Sequence, residues 1–210
     1  MDHDPMQGWV TSHNEVMRHR SLIQAGALFV WITLVAIVGV LVIYPRIHST
    51  WILTTAQVLL YFTMVLPILV WARNTFHDFA SPRWQRFAAL LLVAISLIAA
   101  AVVQHYGIEL IGIAFRVGAT AVSEELIFRG FIWDRIKHAG WGTPLVIVVI
   151  VVNVVAFTLW HIPAILTGNS QASVGGFAVL LLTGLALCIL RLVTRSLILP
   201  AAAHFAIDIF

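Results

Sequence analysis

Seven long apolar runs dominate the chain, and polar residues are confined to the short stretches between them. The runs fall at residues 22–44, 51–71, 87–103, 108–133, 145–161, 175–193 and 196–210. A helix that crosses the hydrocarbon core needs about 20 mostly apolar residues. The pattern therefore predicts an all-α fold, a polytopic membrane helix bundle of about seven transmembrane helices. Residues 1–21 are polar and lack a short apolar core followed by a small-residue cleavage site. They read as a retained cytoplasmic tail, with residues 22–210 forming one transmembrane domain. The last run has 15 residues, about 22 Å at helical rise against a core of about 30 Å. It predicts a helix that stops part-way across, or a shortened chain.

Tryptophan and tyrosine cluster at the ends of these runs (Tyr44, Trp51, Trp71, Trp84, Trp133 and Trp141), where such side chains anchor helices at the lipid–water interface. The basic residues set an orientation. Arg18, Arg20, Arg73, Arg83, Arg86, Arg129, Arg135, Lys137, Arg191 and Arg195 fall on one set of connections, and Arg46 alone on the other. Ten against one places the N-terminus in the cytoplasm by the positive-inside rule.

Composition agrees with this pattern. Of 210 residues, 61% are hydrophobic and 10% charged, with a mean hydropathy of +0.99, whereas soluble domains carry about 25% charged residues. The net charge of +3 is too small and too dispersed to indicate a nucleic-acid partner. Cys188, the single cysteine, excludes an internal disulfide and a cysteine-based metal cluster.

Against this background a few ionisable residues are out of place. A charge at mid-membrane costs roughly 3 kcal/mol on insertion scales, so such residues pair, face a cavity or do chemistry. The fourth run contains Glu124, Glu125 and Arg129, in AVSEELIFRG at 121–130; the fifth ends on His161; the last carries His204 and Asp208. Glu125 and Arg129 are four apart, in the favourable order for an ion pair along one helix face. Glu124 is rotated by about 100° from Glu125 and stays available for another partner. His204 and Asp208 also share a face. Glu109 and Arg116, two turns apart on the fourth run, read as a structural pair near the outer interface. If the fourth and fifth runs form a hairpin about Gly142, Glu124 and His161 lie at similar distances from the turn. Measured from Leu145 instead, His161 sits about 10 Å deeper, a mismatch that tilt or a longer fourth helix would absorb. Glu124 is ten residues before Asp134 and His204 nine after Arg195, so those two match in depth, at about 14 Å from the cytoplasmic face.

The usual nucleophile signatures are missing. There is no G-x-S-x-G and no H-E-x-x-H, and Asp208 is the only aspartate within a run, which rules out an aspartyl dyad. A carboxylate and two imidazoles remain. That set can activate water, with the carboxylate as general base, one histidine holding the water and the other facing the developing oxyanion. The same side chains, Glu124, His161 and His204, could equally be zinc ligands.

At these positions the chain resembles the CPBP intramembrane proteases, also called the CAAX protease and bacteriocin-processing (Abi) family. That family carries E-E-x-x-x-R, F-x-x-x-H and H-x-x-x-N or D. Here they read EELIFR at 124–129, FTLWH at 157–161 and HFAID at 204–208, in that order, within a match that spans about 117–208. The resemblance implies a membrane-embedded endopeptidase in a bacterial cytoplasmic membrane, acting on peptide or protein substrates at the bilayer. It implies Glu124 as catalytic base and His161 sharing its water, with His204 and Asp208 on the oxyanion side. Glu125, Arg129 and Phe157 would support the site. Both a metalloprotease and a metal-independent glutamate mechanism are argued for the family. The expectation here is the metal-independent one, with no cofactor, and zinc is the alternative. Asparagine at the last motif position could donate to an oxyanion, but ionised Asp208 only accepts. Asp208 must then be protonated, orient His204 or support a metal.

Two other functions use the same residues. A proton-coupled transporter would employ glutamate and histidine as a relay, although no inverted repeat or broken-helix pair supports it. A non-catalytic immunity or scaffold protein would keep them for structure.

Overall fold

The structure, a computed structural model, describes residues 5–46, 49–71, 79–105, 107–139, 145–166 and 174–210. Arg73, Trp141 and Gly142 lie outside the described residues. Among the described residues the fold is all-helical. With every backbone group satisfied inside its own segment, the helix is the economical way to place so apolar a chain in lipid.

Each of the seven apolar runs corresponds to one helical rod. The first is α1 (Pro5–Val38), which continues through a π turn (Gly39–Ile43) and a short 3₁₀ turn (Tyr44–Arg46). It takes in most of the polar tail, so residues from Pro5 onward are helical. Then follow α2 (Thr50–Trp71) and α3 (Arg83–Val103). The fourth rod is composite: α4 (Glu109–Glu125), a π segment (Leu126–Ile132) and α5 (Trp133–His138) run on without a break. After α6 (Leu145–Trp160) and the short α7 (Ile162–Leu166) come α8 (Val174–Thr194) and α9 (Ile198–Asp208). Four helices among the described residues are long and apolar enough to cross a membrane, at Glu15–Ile43, Trp51–Trp71, Arg83–Val103 and Gly175–Thr194; the apolar helices Val146–Trp160 and Ile198–Asp208 are shorter.

The outward faces carry large apolar side chains such as Val30, Ile98 and Leu182, each more than half exposed. In water these would form patches far beyond what a monomer tolerates; in a bilayer they meet lipid. Trp51, Trp71 and Trp84 are exposed at helix ends, as expected of interfacial anchors. Trp133 is not one of them. It is 8% exposed and packs in the core, because the fourth rod continues past it to His138.

Two buried clusters organise the interior. One gathers Leu28, Ile32, Ile68, Phe128, Phe131 and Phe157 from α1, α2, the π segment and α6. The other joins Ala100 of α3, Val117 and Ala121 of α4, and Phe205 of α9. The short α9 is held against α3, α4 and α8. At the tight junction before it, Arg195 adopts a left-handed backbone (φ 54°). α9 thereby turns back into the bundle beside the fourth rod.

Candidate active site

The sequence EELIFR lies where α4 gives way to the π segment. Residues 123–133 are all buried, so this stretch runs through the centre of the bundle. A π segment re-aims side chains relative to a regular helix and recurs at functional sites.

Glu125 and Arg129 are both 0% exposed and form the ion pair that their spacing suggests, Nη1 donating to Oε1 at 2.9 Å. Spacing alone did not reveal the rest of this cluster. The same Oε1 also accepts from His204 Nδ1 at 2.9 Å. Arg129 Nη2 donates to the Gly184 carbonyl at 3.2 Å, and its guanidinium lies 4.4 Å from the centre of the Phe157 ring. A Cβ at Gly184 would come within 3.3 Å of the Phe157 ring, so glycine lets α8 approach this closely. Arg191 donates from Nε to the Arg129 carbonyl at 3.2 Å. One buried cation thus ties together the fourth rod, α6, α8 and, through Glu125, α9.

Glu124 points elsewhere, as its rotation requires. It is 2% exposed. Oε1 accepts from the Tyr61 hydroxyl of α2 at 3.2 Å. Oε2 lies 3.6 Å from His204 Nε2 and 3.9 Å from His161 Nε2, and has no hydrogen-bond partner. His161 sits in the break between α6 and α7. Pro163 has no N–H to give to the carbonyl four residues earlier, so the helix cannot continue regularly through this point. His161 Nδ1 donates to the Phe157 carbonyl at 2.8 Å. The tautomer is thereby set, with the Nε2 lone pair turned towards Glu124. The ring packs on Phe157 and Trp160. Asp208 Oδ2 lies 3.4 Å from His204 Nε2, and its side chain is about one-third exposed.

Glu124, His161, His204 and Asp208 therefore meet in one place, with Glu125, Arg129 and Phe157 around them. The depth mismatch between Glu124 and His161 disappears because the fourth rod extends to His138. Glu124 is 14 residues from that end and His161 is 16 from Leu145, the start of α6. Glu109 and Arg116 do not pair. Glu109 is exposed, and Arg116 Nη1 instead donates to Gln57 Oε1 at 3.4 Å. The sequence reading missed Tyr61 and Gln57. Their signal was present, as two polar-headed residues four apart on one face of an apolar helix.

Glu124 and His161 open onto a cavity of about 680 Å³. It lies between the end of α1, the first half of α2, α4 and the α6–α7 break, and Gln57, Tyr61 and Arg116 also line it. The donor atoms do not form a metal centre as they stand. Metal–ligand bonds of about 2.0–2.1 Å in a tetrahedron put the ligand atoms about 3.3 Å apart, closer than the 3.6 and 3.9 Å found around Glu124 Oε2. Among the described residues no group of three or more His, Cys, Asp or Glu side chains is arranged to hold a metal ion.

No curated protein and no solved structure matches the chain. The family model described as type II CAAX prenyl endopeptidase Rce1-like matches residues 86–210, well over half of the sequence and all of α4, α6, α8 and α9. With three motifs of a membrane-embedded endopeptidase carried on a helical membrane bundle, the chain belongs to the type II CAAX prenyl endopeptidase Rce1-like family.

Proposed function

We propose that the protein hydrolyses C-terminal peptides of membrane-associated proteins by a glutamate-activated water, without a metal. The observation that carries this reading is the relation of Glu124 to His161. Oε2 and Nε2 face each other at 3.9 Å, and with Glu124 ionised both are acceptors. A water molecule that donates one hydrogen to each bridges such a gap with ordinary hydrogen bonds.

The steps follow from these positions. Glu124 takes a proton from the water as its oxygen attacks the peptide carbonyl carbon. The carbonyl oxygen becomes an oxyanion and accepts from His204 Nε2–H. Nδ1 of the same ring is already committed as a donor to Glu125, so a proton at Nε2 gives an imidazolium held among Glu124, Glu125 and Asp208. The intermediate collapses with cleavage of the C–N bond, and Glu124 passes its proton to the departing amine. Arg129 neutralises Glu125 and fixes its orientation, and Glu125 in turn fixes His204. Tyr61 holds Glu124 Oε1, which leaves Oε2 for the water. Asp208 aligns His204 from the partly exposed side.

The chain is proposed to act as one multi-pass domain with its N-terminus in the cytoplasm. The cavity then opens towards the non-cytoplasmic side, since Val40, Leu53 and Pro163 lie at helix ends remote from the basic connections. The test is cleavage of a labelled peptide by the purified full chain in lipid nanodiscs, with the fragments identified by mass. Cleavage that persists in a zinc chelator supports the reading. A rate lost to the chelator and restored by zinc would overturn its metal-free part. Proton flux in liposomes without any proteolysis would replace it with the transport reading.

A further inference from the structure

At the end of the bundle where the basic residues gather, α1 and the last turn of α2 enclose a groove of about 590 Å³. It shares no lining residue with the cavity at Glu124. The sequence of α1 makes this groove amphipathic along its length. His19 and Arg20 line its outer part, Ile23 and Ala27 its inner part, and Trp71 of α2 stands across from them, 42% exposed. Beyond Ala27 the same side of α1 continues outward-facing as Val30, Trp31 and Leu34, each at least 40% exposed. Ile23 to Leu34 is thus an apolar track about 16 Å long. Arg135 of α5 joins the polar end. Its Nη2 donates to the Trp71 carbonyl at 3.1 Å, and its guanidinium lies 4.8 Å from the centre of the Phe131 ring. Asp134 attracts this cation and Arg20 repels it, so an anion placed between the two arginines relieves the repulsion. The charged residues of α1 and α5 are Arg18, Arg20, Arg135 and Lys137 against Glu15 and Asp134, which leaves this end positive.

We propose that this groove binds one anionic phospholipid, its phosphate received between Arg20 and Arg135 and an acyl chain laid along Ile23, Ala27 and Leu34. The planar guanidinium fork matches a phosphate through parallel hydrogen bonds. Basic residues at the membrane surface attract anionic lipid, and an indole such as that of Trp71 suits the headgroup level. A soluble phosphate would use the polar end alone. The apolar track below it adds affinity only for a ligand that carries a hydrocarbon chain. The lipid so placed holds α1 against α2 and α5, whose Arg135 and Trp71 form the opposite side of the headgroup site. The assignment stands apart from the proteolytic reading, because none of these residues lines the cavity at Glu124.

The experiment titrates the full chain, purified in a neutral detergent, with phosphatidylglycerol, with phosphatidylcholine of the same acyl chains, and with inorganic phosphate. Native mass spectrometry counts the bound lipid, and thermal unfolding is followed on the same samples. Phosphatidylglycerol is expected to bind one to a chain, at least about tenfold more tightly than phosphatidylcholine, and to raise the unfolding midpoint as its concentration rises. Inorganic phosphate is expected to do neither. Arg20 is exposed, and Arg20→Gln should weaken phosphatidylglycerol roughly fivefold to tenfold while its midpoint without lipid stays that of the parent. Arg83→Gln removes an exposed cation outside the groove and should leave the affinity unchanged. Equal affinity for the two lipids overturns the proposal. Equal losses in Arg20→Gln and Arg83→Gln also overturn it, since net charge alone would then attract the lipid. Stabilisation by inorganic phosphate as strong as that by phosphatidylglycerol would replace the lipid site with a simple anion site.

Discussion

His161 Nε2 faces Glu124 Oε2 across 3.9 Å, although the two residues are 37 positions apart and on different helices. The Phe157 carbonyl orients one of them and the Tyr61 hydroxyl the other. Their free atoms are both acceptors, which is the arrangement a bridging water needs. Replacing His161 with alanine removes one acceptor and leaves Glu124, the proposed base, in place. The expected result is a fall in kcat of roughly 10²–10⁴-fold, the usual worth of such a group, with thermal stability little changed. An unaltered kcat would show that His161 has no part in the reaction.

The buried pair of Glu125 and Arg129 is proposed to serve both stability and the orientation of His204, which donates to the same carboxylate. Arg129→Met takes the guanidinium from the buried Glu125 carboxylate and leaves it the His204 ring alone, expected to cost about 3–5 kcal/mol. Replacing both partners by apolar residues of similar size recovers most of that loss, because no buried charge is then left alone. Activity is expected to stay low in the double variant, since His204 Nδ1 has lost its acceptor. Thermal unfolding and peptide cleavage, measured on the same preparations, separate the two effects. Recovery of both together would mean that Glu125 does not position His204.

Asp208 stands at the last position of HFAID, where the motif that the chain resembles carries asparagine or aspartate, and among the described residues it approaches His204 Nε2 at 3.4 Å. Asp208→Asn keeps the shape and adds an N–H donor on the oxyanion side. It is expected to retain cleavage within about tenfold, whereas Asp208→Ala loses more because the imidazole is no longer aligned. Complete loss in Asp208→Asn would assign the carboxylate charge itself a role in the reaction.

Orientation can be read from labelling. Cys188 is buried, so the background is low. Pro45 is exposed at the mouth of the cavity. Pro45→Cys should react with a membrane-impermeant maleimide added outside intact cells. Reaction only after the membrane is breached would place the cavity on the cytoplasmic side.

Much of this architecture was legible because a bilayer imposes simple rules. Among the described residues the seven apolar runs became seven helical rods, and the largest shift of a limit came where the helix ignored a polar flank, from Pro5 to Leu22. The Glu125–Arg129 pair followed from helical spacing. What spacing could not supply was anything between helices. The bond from His204 to Glu125, the Gly184 carbonyl under Arg129 and the hydroxyl of Tyr61 depend on how the rods rotate against one another. Trp133 misled for a related reason. A tryptophan at the end of an apolar run looks like an interfacial anchor, but α5 carries the helix on to His138 and the ring is buried in the core. Periodicity alone pairs Arg116 with Glu109, whereas the packing of α2 against α4 gives it Gln57.

Glu124 is proposed to carry the proton in hydrolysis, and one substitution tests that directly. Glu124→Gln keeps the shape and the Tyr61 contact but removes the basic oxygen. The measurement is the single-turnover rate of peptide cleavage by this variant in nanodiscs, beside the parent and with matched thermal stability. If Glu124 is the base, the rate falls by at least about 10³-fold, in the upper range for loss of such a group. A rate within a few fold of the parent would contradict it.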